Sequence, residues 1–331
     1  MIERVHERPL IYRVEIPLPE NPLQYLNSYI LPGKERACII DTGFHRPECR
    51  EALQEAIRSL QIDLKRTDVF LTHVHGDHSG LADDLADAGG RIYMNPEDYA
   101  YFVGTRNGET WNRLERMFCE EGFPKQEIGL QKQENHARIY SAKKVFPITP
   151  VRDGDKLTLA GEKFIAIQTP GHSKGHMCLY LPIEEIMFTG DHILFDITPN
   201  IARWLNMDDS LKEYLNSLDK ISNYVVKTAF PAHRTQHKEF NQRIQDLKTH
   251  HDKRLEEAFE IVRVHPGSTG YEIASKLTWS MRGKKFEEFS PSQKWFAMGE
   301  ALAHLDYLLK EGRLKKTDAD DAIKYEIITQ G

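Results

Sequence analysis

A chain of 331 residues with 40% hydrophobic and 28% charged side chains can bury a sizeable core without staples, as two domains or as one large and one small. Its 44 basic and 50 acidic residues leave a formal charge of −6, which argues against a surface built to coat a polyanion, although a local basic patch remains compatible with it. Four scattered cysteines, Cys38, Cys49, Cys119 and Cys178, form no C-x-x-C pair and read as reduced core-filling thiols rather than a disulfide framework.

In chain order, the charged start from Met1 to Arg8 lacks the apolar run of a secretory signal, and no stretch approaches the roughly 18–20 apolar residues that span a bilayer; the expectation is a cytoplasmic protein. Ala37 to Ile40 predicts a buried strand ending at Asp41-Thr42-Gly43. Pro47 then opens a helix whose apolar face is Leu53, Ala56, Ile57 and Leu60. Asp68 to Leu71 predicts a strand running into Thr72-His73-Val74-His75, and Arg91 to Met94 a further short one. Residues 104–142 are polar with scattered large apolar side chains (Trp111, Leu114, Met117, Phe118). They read as an inserted helical pair packing on the body, with a lid as the lesser alternative.

Leu157 to Leu159 and Phe164 to Ile167 read as a hairpin. Met177 to Leu181 and Ile186 to Phe188 are two more strands. Leu211, Tyr214, Leu215 and Leu218 mark one face of a helix over about 208–222, and a last strand, Thr228 to Phe230, ends at Pro231-Ala232-His233. After about Gln236 the pattern is mainly helical: one long helix to Val262, a break at Pro266-Gly267, a capped start at Thr269 with Glu272, and another at Ser290 with Gln293. That last helix stops at Gly312, and Arg313 to Ile328 reads as a hairpin. This order fits a winged-helix plan and places a boundary between 1–235 and 236–331.

Fifteen histidines stand out, several beside Asp and Gly. In His73-Val74-His75-Gly76-Asp77-His78, the first two histidines follow a strand two residues apart, Gly76 permits a sharp turn, and Asp77 and His78 can face a second ion. Imidazole and carboxylate donors suit Zn²⁺, and also Fe or Mn. Three more segments end strands with ligand-type residues: Pro170-Gly171-His172, Thr189-Gly190-Asp191-His192 and Pro231-Ala232-His233. Strand ends are where α/β sheets form their sites. A set of merely solvated histidines is the bland alternative. His176 and His192, beside these residues, read as hydrogen-bonding or packing groups; His250 and His251 read as solvated or interdomain. Ser173 has no partners for a nucleophilic triad.

T-H-x-H-x-D-H followed by G-H, G-D and a late H resembles the metallo-β-lactamase superfamily over roughly residues 20 to 235. The resemblance implies an αββα sandwich, with His73, His75 and His172 holding one metal, Asp77, His78 and His233 a second, and Asp191 bridging them. It also implies that Asp41 supports ligand orientation. True β-lactamases of this fold generally lack the bridging Asp, so antibiotic hydrolysis is not expected, and the long insertion of the RNA-processing branch is missing between Asp191 and His233. Thr169 to Ser173, Gly175-His176, Ala303-His304-Leu305 and Gly312 further resemble a bacterial subgroup of metallo-hydrolases with a winged-helix tail; a related animal enzyme with such a tail cleaves RNA.

The implied chemistry is a hydroxide shared by two metals about 3.5–4 Å apart, its pKa lowered to near 7, attacking a small ester, thioester or lactone. Asp191 would fix the metal spacing and Asp77 would accept or relay a proton. A two-metal phosphodiesterase or ribonuclease is the first alternative. An iron-dependent redox enzyme ranks below it, and a non-enzymatic regulator last. Residues 240–331 carry fifteen basic and fifteen acidic side chains, a difference of zero, so this tail lacks the footprint of phosphate binding. It is expected to pack on the body, shape the pocket or make a homodimer. A small-molecule substrate is the expected partner, with nucleic acid the lesser alternative and no membrane.

Overall fold

The computed structural model describes residues 1–280, 283–319 and 322–328. The first sheet has seven strands in chain order: β1 (Ile2–Glu7), β2 (Leu10–Pro17), β3 (Tyr25–Leu31), β4 (Ala37–Ile40), β5 (Thr67–Phe70), β6 (Arg91–Met94) and β7 (Ile148–Pro150). The meander from β1 to β4 is antiparallel and β4 to β7 run parallel. The second sheet has five, β8 (Lys156–Leu159), β9 (Glu162–Gln168), β10 (Met177–Leu181), β11 (Ile186–Gly190) and β12 (Thr228–Pro231), in the order β12-β11-β10-β9-β8.

Strand alternation decides which face each side chain serves. Cys38, Ile40, Phe70 and Tyr93 from the first sheet meet Phe164, Met177, Leu179 and Phe188 from the second in one apolar cluster between the sheets. The intervening Ile39, Val69 and Ile92 point outward and are covered by α1 (Pro47–Ser59), through Cys49, Leu53, Ala56 and Ile57. The four-residue turn α2 (Gly76–Ser79) follows β5, and α3 (Ala82–Asp87) adds Leu85 to the same layer. Cys178 and Tyr180 point to the far side of the second sheet, where α8 (Ser210–Ile221) lies on them through Leu211, Tyr214 and Leu218. Helix, sheet, sheet, helix is the expected αββα layering.

Between β6 and β7 lie α4 (Pro96–Arg106), α5 (Glu109–Glu120), α6 (Lys125–Glu134) and α7 (His136–Ile139), so residues 104–142 hold three helices, α5 to α7, rather than a pair. It belongs to the body. Leu114, Phe118 and Phe123 are buried, and the Phe118 ring stacks on Trp295 with centroids 3.8 Å apart. The remaining chain forms α9 (Phe240–Val264), β13 (Ser268–Thr269), α10 (Gly270–Lys276), α11 (Pro291–Lys310), β14 (Leu314–Ala319) and β15 (Ala322–Ile327). Both expected capping boxes are present, Thr269 with Glu272 and Ser290 with Gln293. The long helix starts at Phe240, four residues later than its periodicity suggests, because the Glu239 carboxylate caps the Asn241 and Gln242 N–H groups.

One apolar cluster runs from Ile167 and Cys178 in the second sheet through Leu255, Met298 and Leu302 to Tyr325, so no seam of the core follows residue 235. Among the described residues, no helix is long and apolar enough to cross a membrane. All four cysteines are free, and Cys38, Cys49 and Cys178 are buried.

Phe118→Ala removes the ring that joins the inserted helices to α11. It is expected to cost about 3–5 kcal/mol of unfolding free energy, the usual range for a buried Phe, read by denaturant unfolding monitored by circular dichroism.

Candidate metal centre

All seven residues read from the sequence meet at one edge of the sandwich. His73 and His75 lie in the irregular segment just past β5 rather than on the strand itself, which ends at Phe70; Asp77 and His78 lie on α2. His172 comes from the β9–β10 connection, Asp191 from just past β11, and His233 from just past β12. Two glycines make these approaches possible. Gly171 has φ +136, and a Cβ there would lie 2.4 Å from Tyr214 Cβ; Gly190 has φ +49, and a Cβ there would meet His176 Nε2 at 2.7 Å.

His73 Nε2, His75 Nδ1 and His172 Nε2 form a triangle with sides of 3.0, 2.9 and 3.2 Å. Asp77, His78 and His233 form a second donor group, and His73, His78 and Asp191 a third. Asp191 spans the two ends. Its Oδ2 lies 3.6 Å from His172 Nε2, while its Oδ1 lies 3.5 Å from both His78 Nε2 and His233 Nε2.

Hydrogen bonds on the far side of four rings fix which nitrogen carries the proton. Carbonyl and carboxylate oxygens only accept, so His172 Nδ1–H donates to Asn200 O (2.9 Å), His233 Nδ1–H to Tyr25 O (2.9 Å) and His78 Nδ1–H to Asp41 Oδ2 (2.8 Å). Thr72 Oγ1 donates to Asp41 Oδ2 at 2.7 Å and so accepts from His73 Nδ1–H at 3.0 Å. Each ring therefore turns an Nε2 lone pair inward. A single proton on His75 Nδ1 relieves at most one edge of the nitrogen triangle, whereas a cation inside it satisfies all three.

The second corner carries the same message. His78 Nε2, His233 Nε2 and Asp191 Oδ1 are buried without a hydrogen-bond partner, an arrangement that costs free energy unless something occupies the space between them. Among the described residues, the ion-pair partners of Asp41, Asp77 and Asp191 are histidines, with no lysine or arginine. Burial holds His73, His75 and His172 below the ordinary imidazole range, His75 to about 3, which is the neutral form a metal needs. At the carboxylate end the balance reverses. Burial is outweighed by Asp41 and Asp191 at His78, and by Asp191 and Asp77 at His233, so positive charge is favoured there. The donor set fits two divalent cations, and its nitrogen and oxygen mix suits zinc as well as iron or manganese.

Further residues hold this constellation. Asp41 accepts Thr72 N–H at 2.8 Å besides the bonds above, as its place after β4 suggests. His176 is buried, with Nδ1 on Thr169 Oγ1 (2.8 Å) and Nε2 receiving the Asp191 N–H (3.2 Å). His192 is buried but bonds through neither ring nitrogen. Asp98 escapes a reading of the sequence. On the first turn of α4 it accepts Val74 N–H (2.9 Å), Gly175 N–H (2.6 Å) and Ser173 Oγ–H (2.6 Å), tying the His73–His75 segment to the His172 loop. Burial pushes its carboxyl up to about 6 against those bonds. Trp204 also goes unread; it stacks on His75 with centroids 5.7 Å apart and planes 23° from parallel. Only the helix-start pattern Asn95-Pro96-Glu97-Asp98 hints at Asp98, and nothing local marks Trp204.

Residues 22–233 match the Metallo-beta-lactamase superfamily. The chain belongs to that superfamily. Residues 286–328 of this superfamily member also match the Metallo-beta-lactamase-like C-terminal domain. An atrochrysone carboxyl ACP thioesterase of Emericella nidulans is 28% identical over 225 residues, 68% of this chain and 55% of that protein. Lactamase-like protein adaB of Aspergillus niger is 25% identical over 251 residues, 75% of this chain and 63% of that one. The chain thus spans little more than half the length of these curated relatives. Among solved structures, a metallo-beta-lactamase family protein from Thermus thermophilus is 27% identical with a TM-score of 0.82, covering 96% of this chain and 98% of its own. A beta-lactamase domain protein from Burkholderia ambifaria, 24% identical with a TM-score of 0.83 over 99% of this chain and 94% of its own, shares the fold.

Asp41→Asn keeps the size of the side chain but sets an amide N–H₂ against one of its present donors. Zinc affinity, measured by competition with a chromophoric chelator, is expected to fall roughly 10–100-fold, the range for residues that orient metal ligands, with little change in the apoprotein circular dichroism spectrum.

Proposed function

We propose that this protein is a binuclear metallo-hydrolase acting on an acyl thioester, or on a related ester or lactone, rather than a β-lactamase. His73, His75 and His172 would hold one divalent ion, Asp77, His78 and His233 the other, and Asp191 would reach both; zinc is the ion this donor set suits first. The observation that carries the reading is the pair of inward-facing donor groups on either side of Asp191: three histidine nitrogens 2.9–3.2 Å apart, and His78 Nε2 and His233 Nε2 buried with Asp191 Oδ1 without a hydrogen-bond partner. The relatives named as acyl-carrier-protein thioesterases support the choice of acyl chemistry.

Bound there, such a pair of ions supplies an acidified water and a Lewis acid for the acyl oxygen. The chain supplies the rest. Asp191 sets the spacing of the two donor groups. The Asp77 carboxylate, lowered to about 2 because His78 and His233 outweigh its burial, stays ionised at neutral pH and orients water by accepting its hydrogen bond. Trp204, backed by Tyr101 at 4.8 Å between ring centroids, forms an apolar wall beside His75 for an acyl group. No side-chain nucleophile is required. The zero charge balance of residues 240–331 weighs against a polyanionic substrate, and the tail's role in this reading is support of the site.

Zinc-loaded protein is expected to hydrolyse coenzyme A and N-acetylcysteamine thioesters faster than matched esters. Asp191→Ala should lower kcat/KM by more than the roughly 100-fold upper end seen for indirect supports of a metal, with its melting curve separating chemistry from folding. Turnover of RNA or of a phosphodiester, with none of the acyl panel, would replace this reading by the two-metal phosphodiesterase.

A further inference from the structure

The two donor groups are held in large part by different segments of the chain. The Asp77–His78–His233 group leans on the first sheet: His78 on Asp41 after β4, and His233 on the Tyr25 carbonyl that opens β3. In the other group, His73 shares the Asp41 support through Thr72, but His75 and His172 do not. His172 donates to the carbonyl of Asn200, and Trp204 lies over His75; both supports come from the connection between β11 and α8.

That connection contains no helix or strand over residues 199–205 to hold it. Most of the anchors of residues 199–205 come from the chain after residue 235, with Glu121 from the end of α5 joining them. Asn200 Nδ2–H donates to Glu300 Oε2 on α11 at 3.0 Å, and Glu300 is in turn faced by the Arg254 guanidinium of α9 at 3.6 Å. Arg203 N–H donates to Gly299 O at 2.9 Å, and its guanidinium reaches Asp306, Glu121 and the Tyr325 hydroxyl. Gly299 gives this contact room, since a Cβ there would lie 3.1 Å from Ala202 Cβ, a tight fit.

We infer that Glu300 is a positioning residue for one metal only: through Asn200 it sets the orientation of His172, so the C-terminal part governs retention of the ion in the His73–His75–His172 group and leaves the other ion untouched. The inference rests on the two-metal reading above. A carbonyl that accepts from an imidazole fixes both the ring plane and the tautomer, and loss of such a support weakens metal affinity by roughly 10–100-fold. Asn200 is half-buried and outside the apolar clusters, so its side chain can be removed without opening the core.

Full-length zinc protein dialysed against graded chelator separates the outcomes. Asn200→Ala and Glu300→Ala are expected to release one ion at a chelator concentration roughly tenfold or more below that needed for the parent, the lower end of the range for such supports, and to keep the second as the parent does. Glu300→Gln, which still accepts from Asn200 Nδ2–H, should retain both. Adding Asn200→Ala to His172→Ala should change nothing further, while adding it to His233→Ala should weaken the ion that remains; the cobalt(II) d–d absorption of each variant reads the same occupancy independently. Parent-like retention in Asn200→Ala and Glu300→Ala, equal loss of both ions, or an added loss in the His172→Ala background would overturn the inference while the two-metal reading stands. A parent that takes up no divalent metal would overturn both.

Discussion

Five imidazoles and two carboxylates face one another in a space that water scarcely enters, and four of the rings are locked by outer hydrogen bonds with their lone pairs turned inward. Lone pairs about 3 Å apart repel, and the buried carboxylates face histidines rather than a lysine or arginine. The fold holds them in place regardless, through backbone carbonyls and Asp41, so the strain is discharged only by positive charge in the middle. Everything else in the sandwich serves that placement: two sheets that present strand ends at one edge, glycines that let the His172 and Asp191 segments come close, and Asp98 linking the loops from behind.

The αββα layers and the seven converging residues are legible because each depends on local signals. The central strands read as short apolar runs, and each ligand follows a strand within eight residues. Asp41, after a strand, is legible for the same reason. The N-terminal strands β1 to β3 and the three-residue β7 are not: β1 is exposed at four of its six residues and β7 is too short for a period. Residues 104–142 read as a helical pair because α7 is a single turn whose helix is held by packing on α2 rather than by its own pattern. The roles of Asp98, Trp204 and Asn200 are not legible, since each depends on partners in other segments: Val74, Ser173 and Gly175 for Asp98, His75 for Trp204, and His172 and Glu300 for Asn200.

The tail illustrates the same division. Its helices and hairpin follow from capping boxes, a proline at a helix start and a glycine after a helix end, all of them local. Its zero charge balance weighs against a role on a polyanion. What composition cannot convey is that the buried polar face of α11 carries Glu300 and Asp306, directed at the connection beside the metal-binding edge. The charged residues that could have marked a surface are spent inside, on Asn200 and Arg203.

The apolar cluster that crosses residue 235 has a bearing on how such a chain can be shortened or recombined. Helices α5 and α6, the outer face of the second sheet and the tail all contribute to one continuous oily layer, with Phe118, Met187, Leu255 and Met298 among its members. Severing the polypeptide after His233 would leave that layer facing solvent, and the N-terminal part would be a sticky fragment. A shortened chain would therefore need a new, polar surface in place of the apolar one the C-terminal part covers.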